Sequence, residues 1–278
     1  MKNIGSALSI VGRGAAMNVG EPRRQNDRAL AARVRRGLQD GEFRVAFQPV
    51  IHAQTSRLSG VECLLRWQHP DYGLLLPGSF IQALDDPRTA RAASRFVLES
   101  ACQQLRTIQD AGHPLPRVSV NIHPSQLLDE DLCPTIQSLT EHYGIDPSLI
   151  ELELVETADA SKLLCIGEIT RSLRELGVRI AIDGFGSGYA SLAVLSSAQI
   201  DTIKLAREFL AKVPTSHRAC TVMSCVLDML DKLEIKVVIE GVETEAQLRW
   251  LSRRAEVHAQ GYHIARPQTK FAAAIALN

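Results

Sequence analysis

Seven polar residues recur in one position along the chain, close to the C-terminal end of a short apolar run. The set contains four carboxylates, two amides and a lysine: Glu62, Asn121, Glu153, Asp183, Lys204, Glu240 and Gln260. Carboxylate and amide oxygens are the ligands that hard divalent cations such as Mg2+ and Mn2+ prefer. If one fold brings these side chains together, their chemistry predicts a metal site, because a divalent ion relieves the repulsion among clustered carboxylates.

The spacing within each run indicates which side chains share a face. Residues two apart on a β-strand point to the same side. In the segment IELELVE, Ile150, Leu152 and Leu154 therefore lie on one face, and Glu151 and Glu153 lie on the other. A carboxylate buried without a partner is costly, so this pattern favours a polar interior site. Taken singly, each of the seven residues has an alternative role as a helix cap or as the partner of a nearby Arg or Lys.

Eight short β-branched runs supply the strands that would position these residues. They alternate with longer segments of helical periodicity, which is typical of βα units and a largely parallel sheet. The predicted strands are RVAFQPVIH (44–52), LSGVECLLRW (58–67), RVSVNIH (117–123), LIELELVE (149–156), RIAIDGF (179–185), TIKLA (202–206), KVVIEGV (236–242) and AQGYHI (259–264). Helices are predicted at 28–43, 88–111, 125–143, 160–176, 217–234 and 244–254.

Eight such units in about 235 residues predict a closed (β/α)8 barrel of the α/β class, whose reactive groups gather at the C-terminal ends of the strands. A barrel would bring all seven polar residues to one mouth. An open doubly wound sheet is the alternative. It is disfavoured because no G-x-G-x-x-G pattern follows the first strand.

Composition restricts the partners and the compartment. The 278 residues include 31 Lys and Arg against 31 Asp and Glu, so net charge draws the chain to neither nucleic acid nor an acidic membrane. No apolar run reaches the roughly 18 residues that cross a bilayer, and the six cysteines lack metal-ligand spacing. We therefore expect a cytoplasmic protein with a poorly ordered extension at 1–26 and one domain at 27–278.

The ordered motifs from Phe43 to Pro267 resemble those of the EAL domain family, the bacterial cyclic di-GMP phosphodiesterases. FQPVI resembles the family's opening strand, and GVECLLRWQHPDYG resembles its name-giving motif, with Cys63 where alanine is usual. The segments SVNIHPSQL, ELVET, IAIDGFGSGYASL, TIKLA, VVIEGVET and QGYHIARP follow in the family's order. The resemblance implies a TIM-like barrel of the EAL type.

The resemblance also implies a role for each matched residue. The ligands of one metal ion would be Glu62, Asn121, Glu153 and Asp183, with Glu240 and Gln260 completing the metal and water shell. Lys204 would position or activate the attacking water. The loop after Asp183 would be braced by Glu156, with Glu243 in support, and the dinucleotide would contact Gln48 and Arg66. The implied reaction opens cyclic di-GMP to linear pGpG with Mg2+ or Mn2+.

Two positions depart from the family motifs. In the family, two adjacent aspartates begin the loop, but Asp183 of this chain is followed by Gly184. The family's lysine motif carries an aspartate two residues after the lysine, where this chain has Ala206. A second metal ion would lose a ligand. Because loss of one active-site group lowers a rate by roughly 10²- to 10³-fold, we expect weak or absent hydrolysis, with two metal ions reduced to one or none.

Two functional hypotheses follow from these matches and departures. The first is a stand-alone regulatory protein of cyclic di-GMP signalling, without an attached receiver, sensory or cyclase domain. It would bind the dinucleotide or a protein partner and control gene expression indirectly, for example as a repressor of virulence or motility genes. The second is an active Mg2+- or Mn2+-dependent phosphodiesterase, which the intact ligand residues favour.

The sequence also bears on self-association and on nucleic-acid binding. The resemblance implies a homodimer formed through the region after GFGSGYASL. Direct nucleic-acid binding is disfavoured, because no helix-turn-helix or zinc-finger pattern occurs and the basic character is confined to residues 23–36.

Overall fold

A barrel of eight strands forms the centre of the molecule. The computed structural model describes residues 20–187 and 192–276. The barrel strands are β1 (Phe43–His52), β2 (Leu58–His69), β4 (Val118–Ile122), β5 (Ile150–Val155), β6 (Arg179–Phe185), β7 (Thr202–Leu205), β8 (Lys236–Ile239) and β9 (Val257–Ala259). A further short strand, β3 (Gly73–Leu75), pairs antiparallel with the end of β2 at Trp67–His69.

The barrel closes through β1, which pairs along both of its edges. It is antiparallel to β2 and also to β9, where Ile51 faces Ala259 and His52 faces His258. The other neighbours, from β2 through β4 to β9, are parallel. The predicted α/β barrel is therefore confirmed over the open sheet. The first two strands, however, form a hairpin with no helix between them.

Helices cover the outside of the barrel. They are α1 (Gly20–Gln39), α2 (Pro87–Asp110), α3 (Leu132–Tyr143), α4 (Ala158–Leu164), α5 (Gly167–Glu175), α6 (His217–Lys232), α7 (Glu245–Leu251) and α8 (Phe271–Ile275). None of these described helices combines the length and the apolar character that crossing a bilayer requires. The helix predicted at 160–176 is divided into α4 and α5, because Ile166 has a non-helical backbone.

The strand predicted at 259–264 is wrong in position. The observed strand β9 ends at Ala259, and the segment after it is a turn. Gly261 explains the turn, since a Cβ atom built there would lie 2.2 Å from the backbone of Val242. The backbone at Gly261 packs closely against the backbone of Val242, so this segment does not continue as the strand that its apolar pattern predicted.

The alternation within the strands follows the predicted parity. Ile150, Leu152 and Leu154 are fully buried in the same apolar cluster as residues of α3 and α5. Glu151 and Glu153 are also buried, on the opposite face of β5. Both faces of β5 are thus covered, one by helices and the other by the barrel interior, as expected for a parallel barrel strand.

The N-terminal helix joins the barrel through a second apolar cluster. Val34 of α1 packs there with Phe43, Trp67 and Phe80. Helix α1 begins at Gly20, so residues 20–26 of the predicted extension are helical. Residues 1–19 lie outside the described residues, and the division of the chain at residue 26 stays a prediction.

We expect Phe43→Ala to lower the free energy of unfolding by about 3–5 kcal/mol, because the substitution leaves a cavity between α1 and the barrel. Phe43 is fully buried, stacked 5.1 Å from the ring of Trp67 and edge-on to Phe80 at 5.6 Å. Urea denaturation followed by circular dichroism measures the change. Val222→Ala on α6, where the side chain is half exposed, is the control and should change stability by less than about 0.5 kcal/mol. Equal losses in both variants would contradict the packing argument.

Candidate active site

The barrel brings all seven predicted polar residues to the C-terminal mouth. Each lies within or just after a strand, and six of the seven are connected to one another by polar contacts of 3.0 Å or less. The connected residues are Glu62, Asn121, Glu153, Lys204, Glu240 and Gln260. The seventh, Asp183, lies 3.7 Å from the lysine ammonium. Residues that are up to 198 positions apart in sequence thus form one cluster.

The ammonium of Lys204 is the centre of this cluster. Its Nζ lies 2.9 Å from Glu62, 3.0 Å from Glu153 and 2.9 Å from Glu240. Burial acts to lower the pKa of Lys204, but the surrounding carboxylates, Glu153 first, raise that pKa well above its usual value. Lys204 therefore remains protonated and acts as a hydrogen-bond donor and a fixed positive charge, not as a base.

The pKa values of two carboxylates in the cluster, Glu62 and Glu153, shift in opposite directions. Glu62 accepts hydrogen bonds from Asn121 at 3.0 Å and from Gln260 at 2.7 Å, in addition to Lys204. Burial acts to raise the pKa of Glu62, but Lys204 and the two amides hold it below its ordinary value. Burial and the charge of Glu62 raise the pKa of Glu153 well above its ordinary value. Repulsion between neighbouring carboxylates explains this separation.

Two buried oxygens at the mouth have no hydrogen-bond donor within the described ranges. They are Oδ1 of Asp183 and Oε1 of Gln260. An unsatisfied buried oxygen is unfavourable, and a divalent cation would satisfy both. No three His, Cys, Asp or Glu side chains of residues 20–187 and 192–276 already face one another as metal ligands, since the carboxylates here turn toward Lys204. The donor types nevertheless fit a hard cation.

The loop after Asp183 is held by Glu156. One carboxylate oxygen of Glu156 accepts hydrogen bonds from the backbone N–H of Ser187 at 3.0 Å and from its hydroxyl at 3.1 Å. The backbone N–H of Glu156 donates to the carbonyl of Asp183 at 2.9 Å. Strand β5 thus fixes the end of β6 and the first residues of the loop.

The two departures from the family motifs lie beside this cluster. Gly184 has a φ of +70°, in the left-handed region, and a Cβ there would meet nothing closer than the Ser187 hydroxyl at 3.8 Å. The position therefore has room for a side chain, at the conformational cost that left-handed residues carry. Ala206 is buried directly after β7, where it presents only a methyl group.

The remaining predicted residues lie farther from Lys204. Gln48 of β1 faces Glu62 in register, and its amide donates to the carbonyl of Ala265 at 3.2 Å. Arg66 is half-buried, and burial lowers the pKa of its guanidinium. Glu243 is exposed, and its described contact is a backbone N–H that donates to Gln247. The structure does not bring the Glu243 carboxylate into the cluster.

Sequence reasoning missed two side chains of this region. Ser119 donates a hydrogen bond to Glu153 from the interior face of β4, and its position two residues before Asn121 was the available signal. The guanidinium of Arg266 lies over the exposed ring of Tyr262, 4.4 Å from the ring centroid. The phenol of Tyr262 also acts to raise the pKa of Arg66. The spacing of an aromatic residue and an arginine four apart in YHIAR could have indicated this pair.

The fold and the site place this chain among closed α/β barrel proteins that carry a buried carboxylate–lysine cluster at the C-terminal mouth. The donor atoms of such a cluster suit a divalent cation. Within this class, the chain belongs to the EAL domain family, whose model matches residues 31–267. The resemblance found in the sequence is thereby confirmed.

Two relatives and one solved structure illustrate the similarity. The chain is 35% identical over 234 residues to the cyclic di-GMP phosphodiesterase NbdA of Pseudomonas aeruginosa, covering 84% of this chain and 30% of that protein. It is 36% identical over 240 residues to an uncharacterized signaling protein of Caulobacter vibrioides, and the match covers 86% of this chain and 29% of that protein. It thus spans less than a third of either relative. The PaMucR phosphodiesterase in its c-di-GMP complex superposes with a TM-score of 0.77 at 31% identity, covering 86% of this chain and 97% of that one.

We expect the stability of the metal-free protein to fall as the pH rises from about 4.5 to 7. Burial, then the charges of Asp183 and Glu62, raise the pKa of Glu240 to about 7, from 4.5 in the unfolded chain. A carboxyl with a raised pKa stabilises the fold while protonated, and this stabilisation is lost as the pH passes the folded-state pKa. The loss of stability is on the order of 3 kcal/mol.

Thermal denaturation in EDTA across this pH range measures the effect. Glu240→Gln should remove this part of the pH dependence. The control is Glu175→Gln on the exposed surface of α5, which should follow the wild-type curve. Parallel curves for wild type and Glu240→Gln would contradict the assignment.

Proposed function

We propose that this chain binds cyclic di-GMP at the barrel mouth together with a divalent cation, and that it hydrolyses the dinucleotide weakly or not at all. The main support is that the mouth keeps its oxygen donors but lacks polar side chains at two neighbouring positions. Six oxygen-donor residues converge around Lys204, whereas Gly184 and Ala206 supply no polar side chain beside them. On this proposal the protein acts as a regulatory module of cyclic di-GMP signalling.

The cation would be held by residues whose contacts are already described. The ligands would be Glu62, Asn121, Glu153 and Asp183, with Glu240 and Gln260 beside them. EAL phosphodiesterases are generally dependent on divalent metals, and Mg2+ or Mn2+ suits this oxygen-rich set. When bound, such an ion polarises phosphoryl oxygens and lowers the pKa of water. The unsatisfied oxygens of Asp183 and Gln260 support this assignment.

The protein's own residues would orient the dinucleotide and limit the reaction. Arg66 would pair with a phosphate group, as planar guanidinium groups do, and Gln48 lies next to the cluster across the β1–β2 hairpin. Lys204 stays protonated, so it would hold negative charge in place instead of removing a proton from water. Without an acidic side chain at Gly184, one set of donors remains for one ion. This loss supports a rate reduction of about 10²-fold or more.

An active metal-dependent phosphodiesterase is the second candidate. The intact cluster around Lys204 favours it, and so does the name of the Pseudomonas aeruginosa relative, a cyclic di-GMP phosphodiesterase. The two candidates differ in the rate of hydrolysis, because both require binding at the same mouth.

Control of gene expression would be indirect on this proposal. The equal numbers of acidic and basic residues give the chain no general attraction to nucleic acid. Repression of virulence or motility genes would then pass through the dinucleotide or a protein partner. The predicted homodimer region begins directly after Leu192, and the structure describes a short 3-10 helix there, Leu192–Ser196. The side chain of Leu192, at the start of this region, is apolar and exposed, which supports a protein contact there.

The first test measures hydrolysis after the missing acid is restored. We expect wild-type protein with Mg2+ or Mn2+ to release pGpG slowly or not at all, and Gly184→Asp to raise a measurable rate at least tenfold, because the position has room for the side chain. Anion-exchange chromatography of the products measures both. Gly112→Asp is the control, since Gly112 has a similar φ of +73° and open space at the end of α2. Wild-type turnover equal to that of an EAL phosphodiesterase with both aspartates would support the second candidate.

The second test measures binding apart from hydrolysis. We expect calorimetry to detect cyclic di-GMP binding in the presence of Mg2+, and Glu62→Gln to weaken it at least tenfold, because Glu62 joins three donors at the centre of the mouth. Glu175→Gln should bind as wild type does. If wild-type protein does not bind the dinucleotide, the proposed ligand is wrong and regulation through a protein partner takes its place.

A further inference from the structure

Three cationic side chains lie at the end of the barrel opposite the mouth. Arg117 directly precedes β4, Arg179 begins β6 and Lys236 begins β8. Each stands four residues before one of the polar residues of the mouth. The even spacing places all three on the interior face, about 13 Å farther along the strands at 3.3 Å per residue. We call these three residues and their surroundings the barrel base.

None of these three cations has an ion-pair partner within the described ranges. Arg117 makes one long contact, 3.5 Å from its Nε to a backbone carbonyl. The side chains of Arg179 and Lys236 make no hydrogen bond within the same ranges. Glu151, which faces Arg179 in register, accepts a 2.6 Å hydrogen bond from Thr202 instead. The barrel base therefore contains unpaired positive charge in a partly buried place.

Other acidic groups do not neutralise this charge. Asp201 lies at the same end of the barrel, but its carboxylate is bound by Arg174 at 3.0 Å and by the backbone N–H of Ile180 at 2.9 Å. The barrel base thus contains three cations and the carboxylate of Glu151, which gives it a formal charge of +2. Burial and mutual repulsion lower the pKa values of Lys236 and Arg117, which is the effect expected of crowded cations without counter-charge.

A cavity of about 410 Å3 adjoins the barrel base. Lys236, His258 and Arg254 contribute to its lining, together with the apolar side chains of Val237 and Val257. Its volume lies within the range of small-molecule pockets, roughly 300 to 1,000 Å3. The Nδ1 atom of His258 is buried and has no hydrogen-bond partner in the described part of the chain. The cavity thus gives access to Lys236 and offers an unused polar atom.

The charge distribution restricts the ligand. The cavity lining also includes three carboxylates, Asp231, Glu234 and Glu256. They would repel an extended polyanion. Of the three cations, Lys236 lines this cavity, and it also lines a narrow space in the barrel interior together with Arg117. This arrangement favours one compact anionic group. Two guanidinium groups with an ammonium suit the oxygens of a phosphate, which guanidinium groups bind with paired N–H donors. A phosphate dianion also matches the formal charge of +2.

We propose that the barrel base is a second ligand site, in which Arg117, Arg179 and Lys236 bind a small molecule through one phosphate-type dianion. The site is separate from the metal-suited mouth and does not depend on the function proposed for it. Its ligand supplies the counter-charge that the described residues of the barrel base do not provide.

The test uses inorganic phosphate as the probe, in EDTA at pH 7.5 and constant ionic strength. We expect phosphate to raise the melting temperature in a concentration-dependent way relative to chloride. Arg179→Gln and Lys236→Gln should each raise the apparent dissociation constant about tenfold or more, since each removes a charged hydrogen-bond donor. Arg218→Gln is the matched control, because Arg218 is an exposed arginine on α6; this variant should respond as wild type does.

A second measurement separates ligand binding from folding. In phosphate-free buffer, Arg179→Gln should melt at the wild-type temperature or above, because it relieves repulsion among the cations. The proposal is overturned if phosphate has no effect, if it stabilises all variants equally, or if Arg179→Gln is destabilised without phosphate. Equal stabilisation by acetate at the same ionic strength would also overturn it, because the site would then recognise a carboxylate and not a dianion.

Discussion

The mouth of this barrel depends on one buried ammonium surrounded by carboxylates. Lys204 lies within 3.0 Å of three carboxylates, and it is almost completely buried. Charges of one sign cannot be collected in a barrel interior unless an opposite charge or a proton compensates them. Both means act here, since Lys204 supplies the opposite charge and the raised pKa of Glu153 favours its protonated form. The strand order brings the carboxylates together, and Lys204 makes their proximity tolerable without a metal.

The two ends of the barrel interior carry opposite formal charges. If every carboxylate is counted as ionised, four carboxylates and Lys204 give the mouth a formal charge of −3, whereas the barrel base has an excess of cations. Residues four apart on one strand point to the same face, so a strand can place one charged side chain at each end of the barrel interior. A single strand such as β6 thus begins with Arg179 and ends with Asp183.

Much of the mouth could be predicted from the sequence, because parity along a strand is a local property. The alternation around Glu153 and Asp183 was sufficient to assign them to the interior. Strand direction has no comparable local signal, so the antiparallel placement of β1 could not be derived from its residues. The end of β9 was misjudged because Gly261 makes a close contact with Val242 that only the fold reveals. Arg179 and Lys236 were overlooked because each stands at the first residue of its strand, outside the apolar run.

The closing hairpin has a consequence for the order in which the molecule is assembled. β1 is completed by β9 and by Gln268, whose backbone exchanges two hydrogen bonds with Phe47. Nearly the whole domain must therefore have left the ribosome before its first strand acquires its second neighbour. Glu62 and Gln260, which touch at the mouth, meet only at that moment. During synthesis the nascent sheet has an unprotected edge at β1, the kind of edge that can pair wrongly. The mouth is the last part of the domain to form.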